Sequence, residues 1–294
     1  MNINDLWEQP IKSSGENGIF RKQDWIKEAD GKLISAELLR DCAIQKSHEL
    51  ESIKKICDKN GVRAASSDII KIIDIKCSAN KSSILLLGYA IELLLKAGIV
   101  SLLISAPKHL LERKVKDYSH KLLNIADDLQ LTLSVKERAL LTSLSSYIIQ
   151  ETRYPLTPKS TDDYCNRSNL ITLFVSDNEK FLCGVNLFHR LRKFMIDIDG
   201  TPDNPKFHSR MGMEQNGYVI FRAGGTLPPI IIIKFCDSQI NSDLNTLSHV
   251  RYLLSQKNKD DMSIHSRLME KAWVRAIFYL VDKKKGLIKI DVKP

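Results

Sequence analysis

The chain has 294 residues, of which 43% are hydrophobic and 27% charged, and its formal net charge is +9. This composition is ordinary for a soluble globular protein, and it excludes disordered, low-complexity and repeat-built chains. The length suffices for two domains, because a single hydrophobic core stops growing at about 250 to 300 residues.

The cysteines and the N-terminus predict a cytoplasmic protein. No two of the six cysteines lie closer than fifteen positions apart, so they lack the paired spacing of a zinc site. The first five residues have neither the basic start nor the apolar core of a secretory signal. We therefore expect free thiols in a reducing compartment.

The positive charge is concentrated in the C-terminal half. Residues 157–294 contain 21 basic side chains against 15 acidic ones. Such an excess attracts polyanions such as nucleic acid, because neutralised phosphates release their counterions. An incidental basic surface is the alternative explanation.

The first half is predicted to be helical throughout. Apolar residues recur at helical spacing from Asp24 to Ile56, with Gly31 a predicted break and Asn60-Gly61 a predicted end. Ser134 and Glu137 have the spacing of a capping box, which predicts a helix start. The further predicted helices cover residues 67–75, 83–106, 119–129 and 134–153.

The most apolar stretch, residues 83–106, has the length of a membrane span. Glu92 and Lys96 lie near its middle, where a charged residue costs roughly 3 kcal/mol in a bilayer. Their spacing of four instead favours an ion pair on one helix face. We therefore predict a buried central helix that ends before Pro107, and no membrane.

The second half is predicted to be a smaller α+β domain over residues 170–294, after a linker at residues 157–169. Short runs rich in Ile, Val and Phe predict strands, and the segments between them predict helices. The predicted strands are Leu170–Val175, Phe194–Ile198, Gly217–Arg222, Pro229–Phe235, Ala276–Asp282 and Leu287–Val292. The predicted helices cover residues 180–193, 243–256 and 262–274.

Four segments of the helical half resemble, in order, the HEPN superfamily of helical nucleotide-binding domains. They are residues 24–29 (DWIKEA), the central helix 89–97 (YAIELLLKA), the turn 119–122 (SHKL) and the closing tripeptide 153–155 (RYP). The resemblance implies a helical bundle over residues 24–156, which follows an N-terminal arm at residues 1–23.

Many HEPN proteins are ribonucleases or toxins that need no metal or other cofactor, and they carry an Arg followed a few residues later by a His. The imidazole can take the proton of the attacking 2′-hydroxyl while the guanidinium neutralises the phosphate. Arg113 and His120 have a comparable spacing, and on one uninterrupted helix they would share a face. In the family the motif usually lies on the last helix, so the alternative is that His120 orders a helix start beside Glu92.

The resemblance also implies residues that bind nucleic acid or a nucleotide. Glu92 and Lys96 could line a groove or form a structural ion pair. Arg153 and Tyr154 could face that groove or fasten the last helix. The basic cluster of Arg190, Arg192 and Lys193 could contact RNA or lie on a solvated helix face.

A second motif competes with this interpretation. Residues 194–201 (FMIDIDGT) resemble the first motif of haloacid-dehalogenase-like phosphatases, in which two aspartates at a strand end act beside magnesium. Asp197 would be the nucleophile and Asp199 the acid or base, and both would lie at the metal. Two exposed aspartates at a hairpin or strand end are the alternative.

The sequence therefore favours a cytoplasmic HEPN-like protein of a bacterial or phage defence system that binds RNA or a nucleotide, with ribonuclease or toxin activity as a hypothesis. A homodimer, or a partner protein of the same operon, is implied by the same resemblance. The alternatives are a non-catalytic adaptor or assembly subunit and, less favoured, an aspartate phosphatase.

Overall fold

The computed structural model describes residues 8–151, 158–257 and 263–290, and its fold is α+β, as the sequence predicts. The α-helices of these residues are α1 (Lys22–Asn60), α2 (Ser66–Leu102), α3 (Lys108–Tyr118), α4 (Leu122–Asp128), α5 (Val135–Ser146), α6 (Thr161–Ser176), α7 (Asn178–Asp197), α8 (Asp237–Asn241), α9 (Leu247–Lys257) and α10 (Ser263–Ala272). The strands are β1 (Gly200–Thr201), β2 (Asn204–Pro205), β3 (Phe207–Gly212), β4 (Tyr218–Ala223), β5 (Ile230–Lys234), β6 (Ile277–Asp282) and β7 (Gly286–Ile290).

Helices α1 and α2 form a long hairpin. The predicted end of α1 is confirmed: Gly61 adopts the left-handed conformation (φ 64°) and donates its N–H to the carbonyl of Cys57. Gly31 does not break α1, because one glycine costs a helix only about 1 kcal/mol relative to alanine. The two helices predicted after residue 66 are one continuous helix, α2.

The shorter helices pack around the C-terminal half of α2, which is buried from Ile84 onward except for a few side chains. Helix α5 begins with the predicted capping box, in which Ser134 and Glu137 each accept a hydrogen bond from the other's backbone N–H. The ends of the bundle are thus specified by local sequence as well as by packing.

The predicted linker and the first two predicted strands are wrong, because residues 161–176 and 178–197 are helices. Ser160 caps α6 by accepting a hydrogen bond from the N–H of Asp163. The buried residues of α7 recur at helical spacing and pack against α2. A short apolar run such as residues 194–198 fits a strand and a buried helix equally well, and the packing decides for the helix. The helical bundle therefore extends beyond residue 156, to Asp197.

The main sheet has five strands in the order β3-β4-β5-β6-β7, and all neighbours are antiparallel except the parallel pair β5 and β6. The last four predicted strands are confirmed as β4 to β7, within a residue or two where the structure describes them. Strand β3 (FHSRMG) is not predicted, because its polar residues hide the apolar alternation. Strands β1 and β2 form a separate small hairpin.

The sheet separates two hydrophobic cores. Tyr218, Ile220, Ile230 and Ile232 project from one face into the core of the helical bundle. The opposite face forms a smaller core with α9 and α10, around Trp273 and other residues. The two predicted halves therefore share one large core rather than meeting through a linker.

Helix α2 has the length and hydropathy of a membrane span, but 72% of its most apolar window is buried inside the protein. This burial agrees with the predicted central helix of a soluble protein. The cytoplasmic location stays a prediction.

Candidate functional site

The two residues predicted to be catalytic have different partners. Helix α3 ends at Tyr118, and Ser119 leaves it with φ 51°, so Arg113 and His120 are not on one uninterrupted helix. Arg113 Nη1 donates to the backbone carbonyls of Lys284 (3.1 Å) and Lys283 (3.4 Å) in the turn between β6 and β7. Arg113 thus fastens the bundle to the sheet.

His120 instead belongs to a charged cluster inside the bundle. Its Nδ1 lies 2.8 Å from Glu92 Oε2, and the other oxygen of Glu92 accepts a hydrogen bond from Lys96 Nζ at 2.5 Å. The Glu92 side chain is 6% exposed, and the Tyr89 ring packs beside the imidazole. The structure therefore brings together Glu92, Lys96 and His120 in the arrangement that the structural alternative predicts.

The predicted basic cluster on α7 is divided among separate contacts. Arg190 donates a hydrogen bond to Glu137, and Arg192 forms a bidentate ion pair with Asp30 (2.6 and 2.8 Å). Lys193 is exposed. The first two guanidinium groups fasten α7 to α5 and α1. Arg153 and Tyr154 lie outside the described residues.

The two aspartates of the phosphatase-like motif also separate. Asp197 is the exposed last residue of α7, whereas Asp199 turns inward and its Oδ2 accepts from Lys22 Nζ at 2.9 Å. Lys206 Nζ lies 3.2 Å from the same oxygen. A helix rather than a strand precedes the motif. In the part of the chain that the structure describes, no group of three His, Cys, Asp or Glu side chains could hold a metal.

Asp199 nevertheless marks a site that the sequence did not reveal as a whole. It lies in the wall of a cleft of about 440 Å³ between the N-terminal segment, the start of α1, the end of α2 and the β2–β3 junction. Four cationic side chains and two carboxylates line this cleft, which leaves it with an excess of two positive charges. They are Lys12, Arg21, Lys22, Lys206, Glu16 and Asp199.

The floor of the cleft is a polar loop, Lys12 to Gly18, which is held at both ends. Before it, the backbone of Ile11 exchanges hydrogen bonds with Ser105 and Ala106. After it, the N–H of Gly18 donates to Asp24 Oδ2 at 2.7 Å. Gly15 and Gly18 have positive φ, which glycine adopts without strain. The loop thus presents backbone and Ser hydroxyl groups beside the N-terminus of a 39-residue helix, where the helix dipole is positive.

Both carboxylates of the cleft are held as anions by neighbouring cations. Burial disfavours the charge of Asp199, but the hydrogen bond and charge of Lys22, with Lys206, outweigh it and hold its pKa below the ordinary value. Burial likewise disfavours the charge of Glu16, whereas its partner Lys108 (2.9 Å) favours that charge, and the pKa of Glu16 is lowered. The carboxylates therefore already have partners, whereas Lys12 is exposed and Arg21 has only a distant contact with Asp24 (3.8 Å).

Behind Asp199 lies a further cation, Arg222, which is fully buried on β4. Its Nη1 donates to the carbonyl of Leu227, and its Nε and Nη2 have no partner among the described residues. Burial lowers the pKa of Arg222 to about 10, against the opposing attraction of Asp199. His208, its register partner on β3, lies with Nδ1 2.7 Å from Ser105 Oγ. Burial lowers the pKa of His208, and Lys206 and Arg222 add to that effect.

The residues of this cleft come from distant parts of the chain, which is why sequence patterns did not gather them. The loop before α1 offered one usable signal, since two serines and two glycines precede a long helix with Lys and Arg nearby. The phosphatase-like motif singled out Asp199 for a chemistry that its two lysine partners do not support.

Compared with known protein families, curated proteins and solved structures, the chain matches none of them. Its function is therefore inferred from the geometry and charge of the site.

Proposed function

We propose that this protein binds RNA through its phosphate groups, with the cleft at Lys12, Arg21, Lys22 and Lys206 as the anchoring site. The observation that carries the proposal is the cleft's excess of two positive charges beside the N-terminus of α1. Guanidinium and ammonium groups, with backbone N–H groups at a helix start, are the usual partners of phosphate in proteins. A HEPN-like bundle that binds RNA or nucleotides agrees with this proposal.

The cleft suits the repeated phosphates of a nucleic-acid backbone. Each phosphodiester carries one negative charge on two non-bridging acceptor oxygens, and the cleft offers cations on more than one side. Lys22 and Lys206 converge on one Asp199 oxygen, so the site already holds an anion in its ligand-free form. A phosphate bound beside them would lie near cations, and it would not face an unpaired carboxylate.

An extended RNA is favoured over a free nucleotide by a second basic feature on the neighbouring helix. Helix α3 begins at the cleft, where Lys108 pairs with Glu16, and Arg113 lies about 7.5 Å further along its axis. There Arg113 holds the turn that carries Lys283, Lys284 and Lys285, all of them exposed. The carboxylate of Asp282 accepts from the N–H groups of Lys284 and Lys285, so the turn has a fixed conformation. One strand of RNA could contact both features.

The proposal does not include cleavage by Arg113 and His120. Each has a structural partner of its own, the β6–β7 turn for Arg113 and Glu92 for His120. A toxin or defence role remains the expectation drawn from the resemblance, and nothing in the cleft adds to it.

The test is fluorescence anisotropy of a 5′-labelled single-stranded RNA at several salt concentrations. We expect salt-sensitive binding, and we expect Lys12→Ala plus Arg21→Ala to weaken it. For single strands, the slope of log K against log salt should become shallower by about 0.7 for each lost phosphate contact. Excess ATP should compete only weakly if several phosphates of the RNA are bound.

The matched control is Lys136→Ala plus Lys180→Ala, which removes two exposed cations that do not line the cleft. This variant should keep the wild-type salt slope. Equal slopes for the two double variants would contradict the cleft as anchoring site, and a protein that binds no RNA at low salt would favour the adaptor alternative. The RNA recovered after binding should be intact.

A further inference from the structure

The distal half of the α1–α2 hairpin contributes nothing to either hydrophobic core. Neither core contains a residue between Ala36 and Ile84, and Ile72 is the one buried apolar side chain between residues 44 and 78. Large apolar residues are instead exposed there, including Ile56 at 59% and Val62 at 62%. These exposed apolar side chains are distributed over α1, the turn after it and the start of α2.

The outer face of α1 has a regular pattern. Positions separated alternately by four and three residues fall on one stripe of a helix, the spacing used in coiled coils. From Ile34 to Lys59 this stripe is about 37 Å long, and every side chain on it is exposed. The stripe consists of Ile34, Leu38, Asp41, Gln45, His48, Ser52, Lys55 and Lys59.

The charges of this stripe and its flank are arranged symmetrically about His48. Asp41 lies as far before His48 as Lys55 lies after it, and Glu37, on the flank, has the same relation to Lys59. The surrounding segments differ in charge. Residues 37–51 contain four carboxylates and two cations, Lys46 and the buried Arg40. Residues 52–63 contain four cations and one carboxylate, Asp58. Two such helices, antiparallel and related by a two-fold axis near His48, would place Asp41 opposite Lys55 and Glu37 opposite Lys59.

The apolar residues follow this symmetry only in part. In sequence Ile34 and Val62 are equidistant from His48, but Val62 lies beyond the end of α1 at Asn60. Ile56 lies two residues from the mirror position of Leu38, which is occupied by Asp58. All four apolar residues are more than half exposed. Within the described residues, none of Glu37, Asp41, Lys55 and Lys59 has an ion-pair partner of its own.

We propose that the outer face of α1 is a docking surface for a second copy of this chain, antiparallel and two-fold symmetric about His48. A self-complementary patch is what a two-fold interface requires, since each contact occurs twice. An unrelated partner protein would need no internal symmetry on this face. The proposal concerns assembly and does not depend on RNA binding.

Two charge-reversal variants test the proposal in RNA-free solution. The first is Lys55→Glu plus Lys59→Glu, and the second is Glu37→Lys plus Asp41→Lys. Each variant makes both kinds of pair like-charged, and because each pair occurs twice, four like-charge pairs oppose each homodimer. We expect sedimentation velocity to show a dimer for the wild type and dimerisation weakened at least about tenfold for each variant.

Mixing the two variants is the decisive experiment. The heterodimer has opposite charges at every pair, so the mixture should dimerise as the wild type does, and so should one chain with all four reversals. High salt should weaken the wild-type dimer. The substituted positions lie on the surface of α1, so we expect both variants to fold. An unchanged circular dichroism spectrum will show that they do.

Three results would overturn the proposal. They are a monomeric wild type, two variants that dimerise like the wild type, and a mixture that stays monomeric. Stable capture of a different protein by a monomeric wild type would assign the face to that partner instead.

Discussion

The two charged clusters of the molecule differ in how many of their polar atoms have a hydrogen-bond or ion-pair partner. In the bundle, both oxygens of Glu92 have a partner, Lys96 on one side and His120 on the other. In the cleft, one oxygen of Asp199 binds Lys22 and Lys206, while its Oδ1 and two nitrogens of Arg222 have no partner among the described residues. The first cluster is closed within the protein, and the second lies beside an open cleft.

This difference distinguishes a structural cluster from the cleft that we propose as a binding site. Buried polar groups are normally paired, and those that are not often belong to functional sites or to positions of bound solvent. The Arg113 and His120 pair that suggested ribonuclease chemistry in the sequence led to the closed cluster, whereas the phosphatase-like motif contributed Asp199 to the open one. The open cluster has the cations, the cleft and the unpaired groups that a ligand could use.

The largest expected effect is on the closed cluster. Glu92→Ala leaves Lys96 and His120 without their shared carboxylate in a largely buried site, and breaking such a pair costs about 3 to 5 kcal/mol. The check is the free energy of unfolding measured by urea denaturation.

The matched control is Glu28→Ala. Glu28 and Lys32 form a pair with the same spacing on α1, at 3.1 Å, but both side chains are substantially exposed. Removing that carboxylate should cost only a few tenths of a kcal/mol. Equal losses in the two variants would show that the Glu92 cluster is not the structural element we describe.

The closed cluster was within reach of the sequence, and the open one was not. Glu92 and Lys96 are four residues apart on one helix, and the predicted position of His120 beside Glu92 needed only adjacent helices. The cleft joins positions 12–22 to 199–206, so it required the correct packing of α7. Since residues 194–198 were predicted as a strand, Asp199 was placed at a strand end instead of behind a helix.

The same contrast between local sequence signals and tertiary packing explains which parts of the fold were predicted. Helix ends with local signals, such as Gly61 and Ser134, are confirmed, and so are the strands with a continuous apolar run such as Ile230–Ile233. Strand β3 was missed because its polar residues hide the apolar alternation, and helix α6 because residues 157–169 were predicted as a linker. Local patterns therefore predicted the elements with clear caps or apolar runs, whereas the run at residues 194–198 needed its packing to be assigned.

Two buried arginines extend the comparison to a smaller effect. Arg40 Nη1 in the bundle donates to Asn80 Oδ1 (2.8 Å) and to the carbonyl of Val175 (3.0 Å), whereas Arg222 Nη1 donates only to the carbonyl of Leu227. In both side chains Nε and Nη2 have no partner among the described residues, so the difference between them lies in the number of acceptors. Arg40→Met would leave two buried acceptors unpaired, at a cost of about 2 kcal/mol. Arg222→Met removes a poorly satisfied buried charge, so we expect stability to rise by about 1 kcal/mol.

Urea denaturation of both arginine variants measures this difference. Asp199 keeps Lys22 and Lys206 in Arg222→Met, so no new unpaired carboxylate opposes the gain. A loss as large as that of Arg40→Met would mean that Arg222 is as well satisfied as Arg40, and that the contrast between the two clusters is false.

The smallest expected effect concerns pH. Burial, with Lys206 and Arg222, holds the pKa of His208 below its ordinary value of 6.5, so the unfolded chain binds the proton more readily than the folded one. Stability should therefore fall as the pH drops from 6.5 through the lowered pKa.

His208→Gln cannot take up the proton, so its stability should decline less over the same range. The difference should be a few tenths of a kcal/mol, because solvent screens the charges around a half-buried ring. Unfolding free energies of both proteins between pH 7 and 5 provide the measurement. A wild type that loses no more than the variant would show that neither burial nor the neighbouring cations lower the pKa of His208.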